Sequence, residues 1–176
     1  AADAALPFHG YALVRDPGPL ADKKYYFGTT PGTVNYGLLS WVDHIDRASS
    51  VTKAFDAYTW ATDTLGRPYI GTAYAALDPW TGNHKQMRTV QTLDIYGNLL
   101  TRSVYDYADA WVKTYTNTYL TGTEYSNRYI YNRLTPSTLT APGSISIPLV
   151  SNTYDNYTGS NTLVDRAGLR EHLTSE

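Results

Sequence analysis

The sequence contains no cysteine, which removes disulfides, thiolate nucleophiles and cysteine-ligated zinc together. It holds one methionine and three phenylalanines in 176 residues, so any core must be built from other side chains. No apolar run approaches the roughly 20 residues that cross a bilayer as a helix. The opening, AADAALPFHG, has neither the basic start nor the apolar centre of an export signal, and the chain reads as soluble with no membrane insertion. Basic charge is sparse: 14 lysines and arginines stand against 16 acidic residues, and Lys23 with Lys24 is the longest basic run. Nothing there neutralises a row of phosphates, so nucleic acid is not an expected partner.

What is abundant is tyrosine, 17 of the 176 residues, spaced among threonines and valines. Flat and branched side chains fit a pleated, half-buried surface, which favours strands over helices. Thirteen glycines and nine prolines supply frequent turns. The expectation is an all-β fold of antiparallel hairpins forming a ribbon, open sheet or partial shell, with little helix. Residues 1–50 read as a lead-in of short strands and turns, with strands at Tyr11–Arg15 and Lys24–Phe27. Leu38–Ile45 suits either a strand or a helical turn. Residues 51–176 read as one continuous hairpin region, with strands at Val51–Trp60, Tyr69–Leu77, Arg88–Leu93, Leu99–Tyr107, Val112–Leu120 and Arg128–Leu134. A proline-marked loop is expected from Pro136 to Pro148, then a strand at Leu149–Tyr154 and a short helix or frayed end over Val164–Glu176.

Inside this pattern the sequence D-x-x-G recurs at Asp63 to Gly66, Asp94 to Gly97 and Asp165 to Gly168, spaced 31 and 71 residues apart. Aspartate at the first position accepts hydrogen bonds from backbone N–H groups two residues on, and glycine at the fourth tolerates positive φ. The result is a type I turn followed by a bulge, joining two antiparallel strands. The unequal spacing is that of one hairpin type reused with inserts of different length, not of a regular solenoid.

An aromatic residue followed by aspartate recurs as well, at Phe55-Asp56, Tyr105-Asp106 and Tyr154-Asp155, with Leu93-Asp94 in the equivalent place. Together with the run Thr89 to Thr101, this resembles the repeat of the Rhs/YD family, whose core reads Y-D-x-x-G-x-L. The stretches Arg102 to Tyr107, Thr114 to Leu120, Ser126 to Leu134 and Leu149 to Asp155 are also similar to long bacterial Rhs-repeat proteins, so the resemblance covers Val51 to His172. It departs from the pattern at Leu93 in place of tyrosine, and at Pro68 and Arg170 in place of leucine. In that family, which includes teneurins and the cocoon subunits of toxin complexes, YD hairpins coil into a β ribbon that closes as a shell. The resemblance therefore implies a structural role, encapsulation, display or adhesion, in a secreted or cell-surface protein, with the tyrosines stacked as a ladder. A chain of this length makes only a few turns of such a ribbon, and its unpaired edges are expected to meet strand edges of the same or a parent protein, by self-association or as part of a longer chain.

Residues with chemical potential are few. His44 lies between Asp43 and Asp46, a grouping that suits a general base or a metal ligand, but no second ligand follows at a metal spacing, and neither a metal nor a cofactor is expected. Gly143-Ser144-Ile145-Ser146-Ile147 lacks the second glycine of a nucleophile elbow. A carboxylate pair of the glycosidase kind can be drawn from any two strands, so a small glycoside or ester hydrolase stays as one rival reading. The other rival is a carbohydrate-binding β module, for which Trp41, Trp60, Trp80 and Trp111 offer flat faces to a sugar ring; Trp60 reads as a packing residue, and Trp80 and Trp111 as the candidates for exposure. Asn156-Tyr157-Thr158 matches a glycosylation acceptor.

Overall fold

The structure, a computed structural model, describes residues 10–15, 21–82, 84–154 and 173–175. It is almost entirely antiparallel β. The strands are β1 (Tyr11–Arg15), β2 (Ala21–Phe27), β3 (Leu39–Asp46), β4 (Val51–Thr62), β5 (Pro68–Leu77), β6 (Lys85–Leu93), β7 (Leu99–Tyr105), β8 (Trp111–Tyr119), β9 (Leu134–Ala141), β10 (Ile145–Tyr154) and β11 (Leu173–Ser175). Strand order in the sheet is chain order, with β1 and β11 at its two ends. The one helix among the described residues is a single turn, α1 (Thr123–Ser126). By internal contacts the chain divides into two units, residues 1–90 with 104–110, and residues 91–103 with 111–176.

In the first unit, β3 settles the ambiguous Leu38–Ile45 segment as a strand. It pairs on one side with β2, Tyr25 opposite Val42, and on the other with β4, Asp43 opposite Phe55. β4 and β5 continue the meander, with Phe55 opposite Ala76. Successive side chains on a strand point to opposite faces, so the pleat produces two small apolar centres. On one face Phe55, 6% exposed, fits over Ala76, 2% exposed, and its ring stacks on Trp41 with centroids 3.8 Å apart. On the other, Val42 is buried between Tyr25 and Asp56. Burying a phenylalanine ring contributes about 1.5–3 kcal/mol. No large side chain among the described residues reaches complete burial, so pairing and turn chemistry carry much of the specification.

In the second unit, β8, β9 and β10 form a meander in which Tyr115 faces Leu139 and Ile147 faces the same residue from the other side. Two expectations are corrected here. The Arg128–Leu134 segment is not a strand until its last residue: α1 and a turn occupy 123–129, Tyr129 takes φ +59°, and Ile130 N–H closes onto Tyr125 C=O at 3.0 Å. The alternation Tyr129-Ile130-Tyr131 imitates a strand because the turn happens to separate its aromatics. The second correction is the Pro136–Pro148 loop, which is instead most of β9 and the start of β10. Each proline sits at an irregularity: Thr135 and Pro136 together face Thr118, and Leu149, next to Pro148, is an extra residue against β9. Bulges relieve the missing N–H that excludes proline from a regular ladder, while Pro142 begins the corner 142–144 between the strands.

Smaller shifts are end effects. β7 stops at Tyr105 rather than Tyr107 because a corner begins at Asp106. Part of the segment expected as a short helix or frayed end, Leu173–Ser175, is the strand β11, which pairs with Asn152–Tyr154. The third expected corner, Asp165 to Gly168, lies outside the described residues, as do Asp155 and the acceptor at Asn156.

Candidate functional site

Three constellations emerge from the strands: a set of identical corners, an aromatic column, and a histidine–aspartate pair. The corners are the most regular. Asp63 accepts the N–H groups of Leu65 and Arg67 on one carboxylate oxygen, both at 2.9 Å. Asp94 does the same with Tyr96 and Asn98, both at 2.8 Å. The first-to-fourth bond follows in each, Gly66 N–H to Asp63 C=O at 3.0 Å and Gly97 N–H to Asp94 C=O at 3.1 Å. Gly66 and Gly97 hold φ +77° and +85°, where a side chain would strain the backbone.

A third copy, which the D-x-x-G pattern misses, lies at Asp106 to Asp109. Asp106 accepts Ala108 and Ala110 N–H at 2.8 and 3.0 Å, and Asp109 N–H bonds Asp106 C=O at 3.0 Å. Asp109 takes φ +58° in place of glycine, which aspartate tolerates better than most residues. Its side chain then meets Arg88 Nε at 2.5 Å, and that guanidinium lies 3.9 Å from the Tyr105 ring centre. The sequence signal was present as Tyr105-Asp106; the aspartate at the fourth position hid it.

The aromatic column rises from β3 and β4. Phe55, seated on Trp41, has Trp80 at 6.5 Å and His84 at 6.4 Å between ring centres. The corner after β5 presents Trp80: Asp78 N–H bonds Lys53 C=O at 2.9 Å, Asp78 adopts φ +46°, and Thr81 N–H returns to Asp78 C=O at 3.2 Å. This leaves Trp80 72% exposed. Polar groups border the base of the column, where Asp43 accepts Trp41 Nε1–H at 2.7 Å and Tyr26 O–H at 3.0 Å. Trp111, at the start of β8, is less open and donates its Nε1–H to Thr114 Oγ1 at 2.8 Å. Trp60 donates to Leu39 C=O at 2.8 Å.

The Asp43-His44-Asp46 grouping divides once the pleat is imposed. Asp43 faces the aromatic column, whereas His44 points to the opposite face and its Nε2 lies 2.8 Å from Asp56 Oδ2. Asp46 turns into the corner 47–50, accepting Ser49 N–H at 3.2 Å and the Ser49 hydroxyl. The hydroxyl, first among the causes, holds the Asp46 carboxyl below its ordinary value. Neither neighbour therefore joins His44. A cavity of about 90 Å³ lies between Asp94, Tyr96, Tyr119 and Tyr131, and a shallower hollow lies beside Leu77, Lys85 and Tyr107; neither is lined by a histidine. Among the described residues no three histidine, aspartate or glutamate side chains are grouped to hold a metal ion, and no helix is long and apolar enough to cross a membrane.

A buried ion pair escaped sequence reasoning. Asp22, on β2, is buried and accepts Arg47 Nε and a terminal guanidinium nitrogen at 2.9 and 2.6 Å, with Arg15 at 3.8 Å. Arg47 lies 25 residues away, too distant for local spacing to reveal. Arg47 ties β2 to the corner that follows β3, a structural task. Set beside known proteins, the chain matches no family model, no curated protein and no solved structure.

Proposed function

We propose that this chain is a structural segment of a β ribbon, of the walling, display or adhesive kind that the Rhs/YD-repeat resemblance implies, working at or beyond the cell surface by edge-to-edge association. The observation that carries the reading is the strand order itself: among the described residues, eleven strands lie in one sheet in chain order, each beside the next. Among the described residues β1 pairs with β2 alone, and its Tyr11, Leu13 and Val14 are exposed. An apolar edge strand of this kind is a template for another strand. Toward the other end, on β10, which pairs with β9 and over Asn152–Tyr154 with β11, Ile145, Ile147 and Leu149 are also exposed.

Sedimentation velocity and light scattering over a range of protein concentrations test the proposal. Concentration-dependent association is expected, abolished by Leu13→Lys, which places a charge on the β1 edge. A sharp monomer at every concentration would overturn it. A second reading, carbohydrate binding, is favoured by the exposure of Trp80, because a flat indole face beside polar groups suits the apolar face of a pyranose. Glycan-array binding that disappears in Trp80→Ala supports this reading, and an array with no signal above background removes it.

A further inference from the structure

We infer that residues 99–133 are one copy of a two-strand module 35 residues long, and that the Asn-x-Tyr pair closing its second strand is the lock that sets strand register. This inference rests on the ribbon reading above and supplies the unit by which such a ribbon grows.

The lock is seen twice with the same arithmetic. Leu99, the first residue of β7, offers its carbonyl to Asn117 Nδ2 at 2.9 Å and to the Tyr119 hydroxyl at 3.1 Å, 18 and 20 residues downstream. Leu134, the first residue of β9, offers its carbonyl to Asn152 Nδ2 and the Tyr154 hydroxyl, both at 2.9 Å and again 18 and 20 residues downstream. The corners inside the two copies have the same span: Asp106 N–H bonds Ala110 C=O and Ala141 pairs with Ile145, each with three residues between, and Asp109 and Ser144, 35 residues apart, hold φ +58° and +62°. The β9–β10 ladder carries a bulge at Leu149, yet the offset to the lock is the same in both copies.

The junctions between copies repeat as well. Tyr119 stands opposite Leu134 across β8 and β9, and Tyr154 stands opposite Leu173 across β10 and β11; Leu173 takes the corresponding place in the pairing, at a longer interval of 39 residues from Leu134. Asn117 uses its carbonyl oxygen for the next copy, accepting Ser137 Oγ at 2.7 Å. Tyr96 and Tyr131, also 35 residues apart, stack with centroids 3.6 Å apart and planes 4° from parallel. Asn98 Nδ2 adds a bond to Tyr131 C=O at 2.7 Å.

Two donors at alternate positions on one strand make an exacting register gauge. A slip of one residue turns both to the opposite face, and a slip of two carries each about 6.8 Å along the strand, far beyond hydrogen-bond reach. The first unit holds a simpler version, Trp60 Nε1–H on the carbonyl of Leu39, the first residue of β3.

The test inserts a second copy of residues 99–133 immediately after Arg133 in the full chain and follows amide hydrogen exchange. The expected result is that the inserted strands exchange as slowly as the original β7 and β8. Replacing the inserted copy's counterparts of Asn117 by Ala and Tyr119 by Phe should speed exchange in those strands at least tenfold. An insert as labile as a scrambled one of the same composition, or one indifferent to the two replacements, overturns the module. Asn117→Ala and Tyr119→Phe in the unextended chain provide the same reading without an insertion: β7–β8 exchange should rise tenfold while β3–β5 stay unchanged, and no rise refutes the lock. Light scattering on the same samples separates this inference from the ribbon proposal. A protected insert in a strict monomer upholds the module alone, and an associating chain with a labile insert upholds the ribbon alone.

Discussion

Asp94→Ala isolates the chemistry of the corners. The replacement removes the acceptor for Tyr96 N–H, Asn98 N–H and the Asn98 side-chain amide, all at 2.8 Å. A hydrogen bond of this kind contributes about 1 kcal/mol net; because water reaches a half-buried corner and replaces part of the loss, the expected total is about 2 kcal/mol. For a chain of this size that lowers the melting temperature by roughly 4–8 °C. Asp94→Asn keeps an oxygen for the two backbone N–H groups and should cost less than half as much. Gly97→Ala strains a residue held at φ +85° and should cost about 1 kcal/mol; in the double variant the two losses should fall short of their sum, since both act on one turn. Asp106→Ala should cost somewhat less than Asp94→Ala, because its corner makes the same pair of backbone bonds but lacks the Asn98 side-chain amide. Circular dichroism melts and urea titrations read all five proteins. An Asp94→Ala protein melting within a degree of the parent, or an Asp94→Asn protein falling as far, would refute the account of the corner as an acceptor-driven device.

Acid should loosen the first corner. The Arg67 backbone N–H above all, aided by the Arg67 guanidinium and Leu65 N–H against partial burial, holds Asp63 below the ordinary 3.8. A depressed carboxyl pKa adds stability that is complete above about pH 4 and lost as pH falls through the folded value, so Asp63→Asn should flatten the acid limb of a stability profile. At the alkaline end, burial first, then the neighbouring Asp94 charge, raises Tyr119 above 10.0, and burial followed by Tyr96 raises Tyr131. A raised pKa stabilises fully below pH 10 and fades as pH climbs through the folded value, and ultraviolet titration should show the late-ionising tyrosines diminish in Tyr119→Phe and Tyr131→Phe. Phe55→Ala should cost about 3 kcal/mol and shift the emission of Trp41, on which the ring stacks; an unchanged spectrum and melt would show the first unit's apolar centre to lie elsewhere.

Much of the fold was legible because its signals are local. Alternating tyrosine, threonine and valine placed most strands within a few residues, and the Asp63 and Asp94 corners depend on atoms no more than four residues apart. What stayed hidden depends on distance or compensation. Asn117 and Tyr119 are an unremarked N-x-Y until their shared acceptor, the carbonyl of Leu99, is seen; aligning Asn117-Thr118-Tyr119 with Asn152-Thr153-Tyr154 was the available clue. Pro136 and Pro148 signalled a loop because a breaker was counted without the bulge that accommodates it. The Asp43-His44-Asp46 grouping looked like one site only while the pleat was ignored: neighbours in a strand's sequence are on opposite sides of its sheet, and the true companion of His44 was Asp56, one strand away.

The irregular stretch of β10 has a consequence for how this molecule keeps company. Pro148 presents no amide hydrogen to a newcomer on either flank, and the surplus residue beside it throws the following rungs out of step. A foreign strand laid along that flank would lose its grip halfway, despite the isoleucines on show. β1 carries no such interruption between Tyr11 and Arg15. Among the described residues, then, β1 offers an unbroken run of backbone along its length, whereas the run along β10 is broken at Pro148 before the strand meets β11 at Asn152–Tyr154.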